Sequence, residues 1–282
     1  METADDSALF QSWGSITVIN PLEKIWNGYS DTRMGASMDS YLNGYNDPRL
    51  PVYFQPVTDG DNKGEYRGVA NGMPNPQQED YKAMSSPNVQ EKSTDSPLRW
   101  MMASEVAFLR AEGAMRGWTA EMGGTAEEFY NKGIELSFLE NGLSADAAAR
   151  YAADETSKPT DFTDVSAANT KYNISALGKI AIKWNSGASE EEQLERIITQ
   201  KWIAMFPNGT EAWSEFRRTG YPRLFPVRYN YPSSGVDTNK QIRRMVFPQS
   251  EYSNNGAAVQ EAVKLLGGPD NGGTKLWWDK KN

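Results

Sequence analysis

The stretch Pro97–Trp118, PLRWMMASEVAFLRAEGAMRGW, places apolar and small residues at the three- and four-residue spacing of one helical face. Met102, Val106, Leu109 and Gly113 form one stripe, and Ala103, Ala107, Ala111 and Ala114 lie beside it. Small side chains at that spacing let a second helix approach closely. Gly117 is expected to stop the helix after roughly four turns. The next block, GTAEEFYNKGIELSFLENG, supplies a partner. Thr125 and Glu128 have the spacing of a capping box, Phe129, Gly133, Ser137 and Phe138 face inward, and Gly142 closes the helix. The middle of the chain is therefore built from paired helices.

The same signals recur further on. SEEEQLERIITQKWIAMF reads as a helix with Ser189 and Glu192 as its capping box and Leu194, Ile197, Ile198, Lys201, Trp202 and Met205 on one face. Its triple Glu sits in the first turn, where the helix dipole favours negative charge. Pro207 ends it, and Asn208 or Thr210 caps another helix carrying Trp213 and Phe216 three residues apart on a buried face. Arg217 and Arg218 occupy the last turn before Gly220 and Pro222. Each costly residue of Phe206–Pro226 thus has a scaffolding role. Residues 143–189 read as short helices joined by loops. Toward the N-terminus, Met34, Met38, Tyr41 and Leu42 predict a helix ending near Gly44 and Asn46. Asp47-Pro48 breaks it, and LPVYF reads as a short extended piece. Residues 56–97 are rich in Pro and Gly and read as one long loop, a length that is usually functional or disordered.

Composition narrows the chemistry. The 282 residues contain no Cys and no His, which removes disulfides, thiolate nucleophiles, ordinary zinc sites and His-based catalytic arrangements. A net charge of −8 argues against a nucleic-acid partner. No apolar run approaches the ~18 residues of a membrane span. The opening METADDSALF is acidic where a secretory leader is basic. Asp59–Gly64, DGDNKG, starts like a calcium loop, but Lys63 holds the fifth position and Ala70 the twelfth, so an EF-hand fails. No metal or cofactor is expected, and no catalytic residue is assigned.

Three long blocks carry a family resemblance: LRWMMASEVAFLRAEGAMRGW, LERIITQKWIAMFPNGTEAWSEFRRTGYPRL and RRMVFPQSEYSNN resemble SusD/RagB-like proteins. DTRMGASMDSYLNGYNDPRLPVYF is similar to the middle of that family and LWWD to its extreme C-terminus. The resemblance implies a mainly α, SusD-like fold with tetratricopeptide-type helix pairs and long irregular loops. It implies one unit over residues 1–282, with residues 1–96 as a loop-rich ligand face and 97–282 as a helical region with a C-terminal tail. It also implies a surface-exposed lipoprotein of the bacterial outer membrane that binds glycans or other nutrients without catalysis. Its partners would be an oligo- or polysaccharide and a SusC-like TonB-dependent transporter. Family members begin with a signal peptide, a lipidated Cys and a helical N-terminal half. METADDSALF resembles an internal stretch of them, so an absent N-terminal half is expected, and with it the lipid anchor.

Sugar rings present an apolar C–H face that suits an aromatic ring, with Asn, Asp or Arg nearby to satisfy hydroxyls. Candidate ligand contacts are therefore loop aromatics and their polar neighbours: Trp26, Asn27, Tyr29 and Asp31 in IWNGYSD, and Tyr66, Arg67 and Asn71 in GEYRGVAN. Trp277 and Trp278 read as a tie-down of the terminus. Two other readings stay open. One is a tetratricopeptide-like scaffold that binds protein or peptide, and the other is a glycosidase with a carboxylate pair, for which no Asp/Glu spacing stands out.

Overall fold

Helices begin and end where side chains satisfy the backbone groups that a helix leaves free. The computed structural model describes residues 1–10, 20–74, 78–88 and 96–280. Here α1 (Pro21–Glu23) runs into a π-helical turn over Lys24–Tyr29, followed by α2 (Ala36–Gly44), α3 (Leu50–Tyr53) and α4 (Gln78–Tyr81). Beyond residue 96 come α5 (Ala103–Met115), α6 (Thr119–Met122), α7 (Ala126–Glu140), α8 (Ala145–Ala152), α9 (Glu190–Ala204), α10 (Gly209–Thr219) and α11 (Gln249–Leu266). Two short strands, β1 (Ala8–Phe10) and β2 (Leu98–Met101), pair antiparallel. The architecture is mainly α.

Local signals set several boundaries as the spacing predicts. The Thr125 hydroxyl accepts from Glu128 N at 3.2 Å, and Glu128 accepts in return from Thr125 N at 2.7 Å. Ser189 accepts from Glu192 N at the start of α9, which is the cap half of the expected box only, and Asn208 accepts from Glu211 N at the start of α10. Gly220 closes α10 at φ +78, a left-handed conformation that glycine adopts without strain.

Two expectations need correction. LPVYF is not extended: Pro51 sits in the first turn of α3, where its missing N–H leaves no helical bond unmade. The helix expected from Pro97 starts instead at Ala103, because Leu98–Met101 pair with β1. On α5 the alanine stripe is the sealed one, with Ala103, Ala107 and Ala111 buried beside Phe108, whereas Leu109 is exposed and Val106 half-buried. α7 comes so close that a Cβ on Gly133 would meet the Phe108 ring at 2.7 Å.

The main core joins the segment around α2 and α3 to α5, α7 and α9. Met34, Tyr41, Leu42, Tyr53 and Phe54 pack with Phe108, Tyr130, Phe138, Ile197 and Ile203. Arg49 is fully buried at its centre. Its guanidinium forks onto Asp47 at 2.9 and 2.6 Å, donates to Ser137 on α7 and Gln200 on α9, and lies over the Phe138 and Tyr151 rings. Tyr151 on α8 donates to the same carboxylate at 2.8 Å. Burial alone lowers the Arg49 pKa, but the Asp47 carboxylate reverses this and holds it above the usual value. A smaller cluster, including Val57, Met73, Tyr81, Phe162, Tyr172 and Phe225, lies under the loops.

Arg49→Met leaves Asp47 buried without its cation and is expected to lower unfolding free energy by about 3–5 kcal/mol, read by urea denaturation. A loss under about 1 kcal/mol would contradict a central role. At Asp154, burial pulls the carboxyl pKa up, but bonds from Ser157 and Thr156 outweigh it and hold it at about 2. The folded value lies below the ordinary 3.8. The carboxylate therefore contributes stability above about pH 4 that is lost as pH falls toward 2. Asp154→Asn should remove that portion of the acid-side slope in denaturation curves at successive pH values.

Candidate functional site

A groove of about 420 Å³ opens where the π-helical turn, the segment Thr32–Met38 and α10 meet. Its apolar wall carries Trp26, Phe206, Trp213, Phe216 and Phe225, and its polar groups are Thr32, Arg33, Ser37, Asn71 and Gln241. Apolar lining with a few convergent polar groups is the usual composition of a small-molecule site. Among the described lining residues there is no Asp or Glu.

The rings are held in place by one another. Trp26 stacks on Phe206 at 6.3 Å and 10°, and Phe206 also meets Tyr53 and Phe54 at 4.9 Å. Trp213 donates its indole N–H to Ile242 O at 2.8 Å, and the Arg217 guanidinium lies 3.5 Å from the centre of its ring. The polar groups are fixed as well. Gln241 adopts φ +57, a conformation costly for a side-chain-bearing residue, while its amide donates to Phe225 O. Asn71 Oδ1 lies 3.1 Å from where a Cβ on Gly35 would sit, so glycine there makes room for it. Arg33 donates to the carbonyls of Ser30, Thr32 and Lys82. Burial holds its pKa below the usual guanidinium value, an effect that the nearby Asp31 charge offsets only in part.

The residues singled out in the sequence divide in the structure. Trp26 and Asn71 meet on the groove. Trp26 is not a loop aromatic, however: it sits in the π-helical turn, only 6% exposed, because the turn points it at Phe206. Tyr29, at the end of the same turn, is 63% exposed, and Asp31 is exposed. The side chain of Asn27 lies outside the described residues. Tyr66 is half-buried against the main core. Arg67 pairs with Asp39 at 3.6 Å and Glu65 at 3.5 Å and donates to Thr163 O, so its contacts brace loops. Neither Tyr66 nor Arg67 lines the groove. Trp213 and Phe216, read in the sequence as a buried face, also line the groove, as do Arg33 and Gln241, which carry no sequence signal. The three-residue spacing of Trp213 and Phe216 marked a packed face without revealing that the face borders a groove.

Elsewhere, Asp59–Gly64 forms a turn with Gly60 and Gly64 at positive φ, and the described residues hold no cluster of three or more acidic groups placed for a metal. A second cleft of about 570 Å³ runs between α7 and α8. Glu127, Glu128, Glu135 and a row of alanines line it, and its described aromatic, Trp184, is buried.

A family model described as "SusD-like: Susd and RagB outer membrane lipoprotein" matches residues 1–279. The chain belongs to this SusD/RagB family. Solved SusD-like structures agree with the fold. A chitin-binding SusD homologue from Flavobacterium johnsoniae is 41% identical with a TM-score of 0.88, covering 100% of this chain and 56% of its own length. A SusD-like protein from Bacteroides thetaiotaomicron is 42% identical (TM-score 0.90, 100% of this chain, 57% of that one). A SusD homologue from Bacteroides vulgatus is 37% identical (TM-score 0.90, 100% and 55%). The chain thus spans somewhat over half the length of these SusD relatives. No curated protein matches it. Among the described residues no helix is long and apolar enough to cross a membrane.

Trp26→Ala is expected to lower stability by about 3–5 kcal/mol, because it empties a packed site. Tyr29→Ala should change it by no more than about 0.5 kcal/mol. Chemical denaturation of the two variants side by side checks both, and equal losses would contradict the assignment of one ring to the core and the other to solvent.

Proposed function

We propose that this SusD-like chain captures glycan at the bacterial cell surface without altering it and passes it to a SusC-like TonB-dependent transporter. Residues 1–282 act in this reading as one unit, the loop-rich 1–96 face and the helical 97–282 region sharing the groove. The observation that carries the proposal is the ring-walled groove with Asn71, Gln241, Ser37 and Arg33 around it. Trp213, half-buried, offers apolar ring surface for a sugar C–H face, the buried Trp26 backs the wall through Phe206, and amide and hydroxyl groups exchange hydrogen bonds with sugar hydroxyls. Family membership supports the outer-membrane setting. Capture without cleavage follows from membership of a family whose similar structures include a chitin-binding homologue.

A chitin-binding SusD homologue stands among the similar structures, so chitooligosaccharides are the first ligands to test. Their acetamido groups suit the paired donors and acceptors of Asn71 and Gln241. Affinity should be modest, since a shallow wet groove must displace water from many hydroxyls. Calorimetric titration with chitohexaose and a panel of polysaccharides is expected to show binding that weakens at least about tenfold in Trp213→Ala, the loss expected when a stacking ring is removed. Chromatography of the recovered sugar should find it intact. Release of new reducing ends, or no binding across the panel, would overturn the proposal. Partitioning of the full-length protein into detergent and its co-purification with an outer-membrane barrel test the location and the transporter.

A further inference from the structure

We propose that Tyr229 and Tyr231 form an outer sugar-stacking platform continuous with the groove, so that the site takes an extended oligosaccharide rather than a single residue. This rests on the glycan reading of the groove. It adds a second contact area on a loop that the sequence did not single out.

Both feet of that loop are groove residues. It leaves the groove at Phe225 and returns to it at Gln241. Tyr229 follows Phe225 by four residues, so its Cα lies within about 14 Å of that wall. Val227 N donates to Thr238 O and Gln241 N to Asp237 O, which close the loop at its base. Arg228 N donates to the carbonyl of Asn71 at 2.9 Å, tying the tyrosine segment to the polar side of the groove. Gly72, at φ +72, lies so close that a Cβ there would stand 2.2 Å from Val227 Cγ1.

The loop tip is ordered by its own bonds. Ser234 Oγ donates to Tyr231 O at 2.7 Å and accepts from Val236 N, and Asn230 donates to Val236 O. Gly235 turns the chain at φ +65 against the Asn271 side chain. On this frame the two rings meet edge to face, 5.5 Å apart at 75°. One ring therefore fixes the other, yet Tyr229 is 45% exposed and Tyr231 74%. A frame that rigid, holding apolar ring faces in water, has the form of a recognition surface: tyrosine supplies flat contact area with few rotatable bonds to immobilise. The partner that fits is the apolar face of a pyranose whose neighbouring units occupy the groove beyond Asn71.

The test compares chitotriose with chitohexaose by calorimetry on the parent chain, Tyr229→Ala/Tyr231→Ala and Tyr229→Phe/Tyr231→Phe. Both substitutions lie on exposed side chains, and circular dichroism checks the fold. In the parent the hexamer should bind more tightly than the trimer. The alanine pair should weaken the hexamer about five- to tenfold and the trimer by less than about twofold, while the phenylalanine pair keeps hexamer binding, since the ring face makes the contact. Equal weakening of both lengths, or no weakening, overturns the platform while leaving the groove reading intact. If the parent binds neither sugar, the same comparison is made with a short and a long oligomer of whichever panel glycan binds, and a parent that binds no glycan of the panel overturns the glycan reading and this inference with it.

Discussion

Burial of the Arg49 guanidinium against Asp47 is the constraint from which the rest of the arrangement follows. An ion pair removed from water is costly unless every donor and acceptor finds a partner. Here the fork on Asp47, the bonds to Ser137 and Gln200, and the Tyr151 hydroxyl meet that condition. The result is directional in a way that apolar packing is not. Residues 47–49 can occupy only the position at which α7, α8 and α9 present these groups together. Because α2 ends and α3 begins on either side, their placement on the helical region is settled by the same bonds. Once α2 is set, Ser40 bonds to Thr160 and Tyr45 to Ile180, and Gly35 at its start bridges to Val69. The segment that brings Asn71 to the groove is held from there.

The opposite wall depends on a second buried cation. Lys201 on α9 is 1% exposed and meets Glu211 and Glu215 of α10 at 2.8 Å, with Glu105 of α5 at 3.8 Å. Burial works against its charge, but the facing carboxylates win and raise its pKa. Arg218 adds a link from α10 to Glu112 on α5 at 2.6 Å. α10 is short, and these charge-assisted bonds give it a defined rotation that its few apolar contacts would leave loose. That rotation decides where Trp213 stands. Two polar centres, one at residues 47–49 and one between α5, α9 and α10, thus set the elements from which Asn71 and Trp213 line one groove.

How much of this was legible in the sequence follows from how far each interaction reaches. The limits of α7 and α10 could be read because a cap joins residues three apart: Thr125 with Glu128, and Asn208 with Glu211. Arg49 could not, since its partners Ser137, Tyr151 and Gln200 lie 88, 102 and 151 residues along the chain. Asp47-Pro48 was visible only as a helix breaker. Trp26 reads as a loop aromatic but sits in a π-helical turn, an element with no reliable sequence signature that is frequent at functional sites. Arg67 has the polar-neighbour pattern of a ligand contact but spends its guanidinium on Asp39, Glu65 and Thr163. The groove itself joins residues 26, 71, 213 and 241, a grouping that no local pattern contains.

The division between buried and exposed rings also bears on how such a site gains affinity. Rings packed on one another, as Trp26 on Phe206, are already fixed before any ligand arrives, so binding does not have to order them. Their drawback is that little of each surface remains for contact. Exposed rings on a loop have the opposite properties: large free area, but an ordering cost unless the loop is rigid. Hydrogen bonds at the base of the 225–241 loop and at its tip lower that cost, and the edge-to-face tyrosine pair lowers it further. A site that joins a small preformed groove to a stiffened outer surface gains selectivity for chain length, because only a ligand long enough to reach both areas benefits from both.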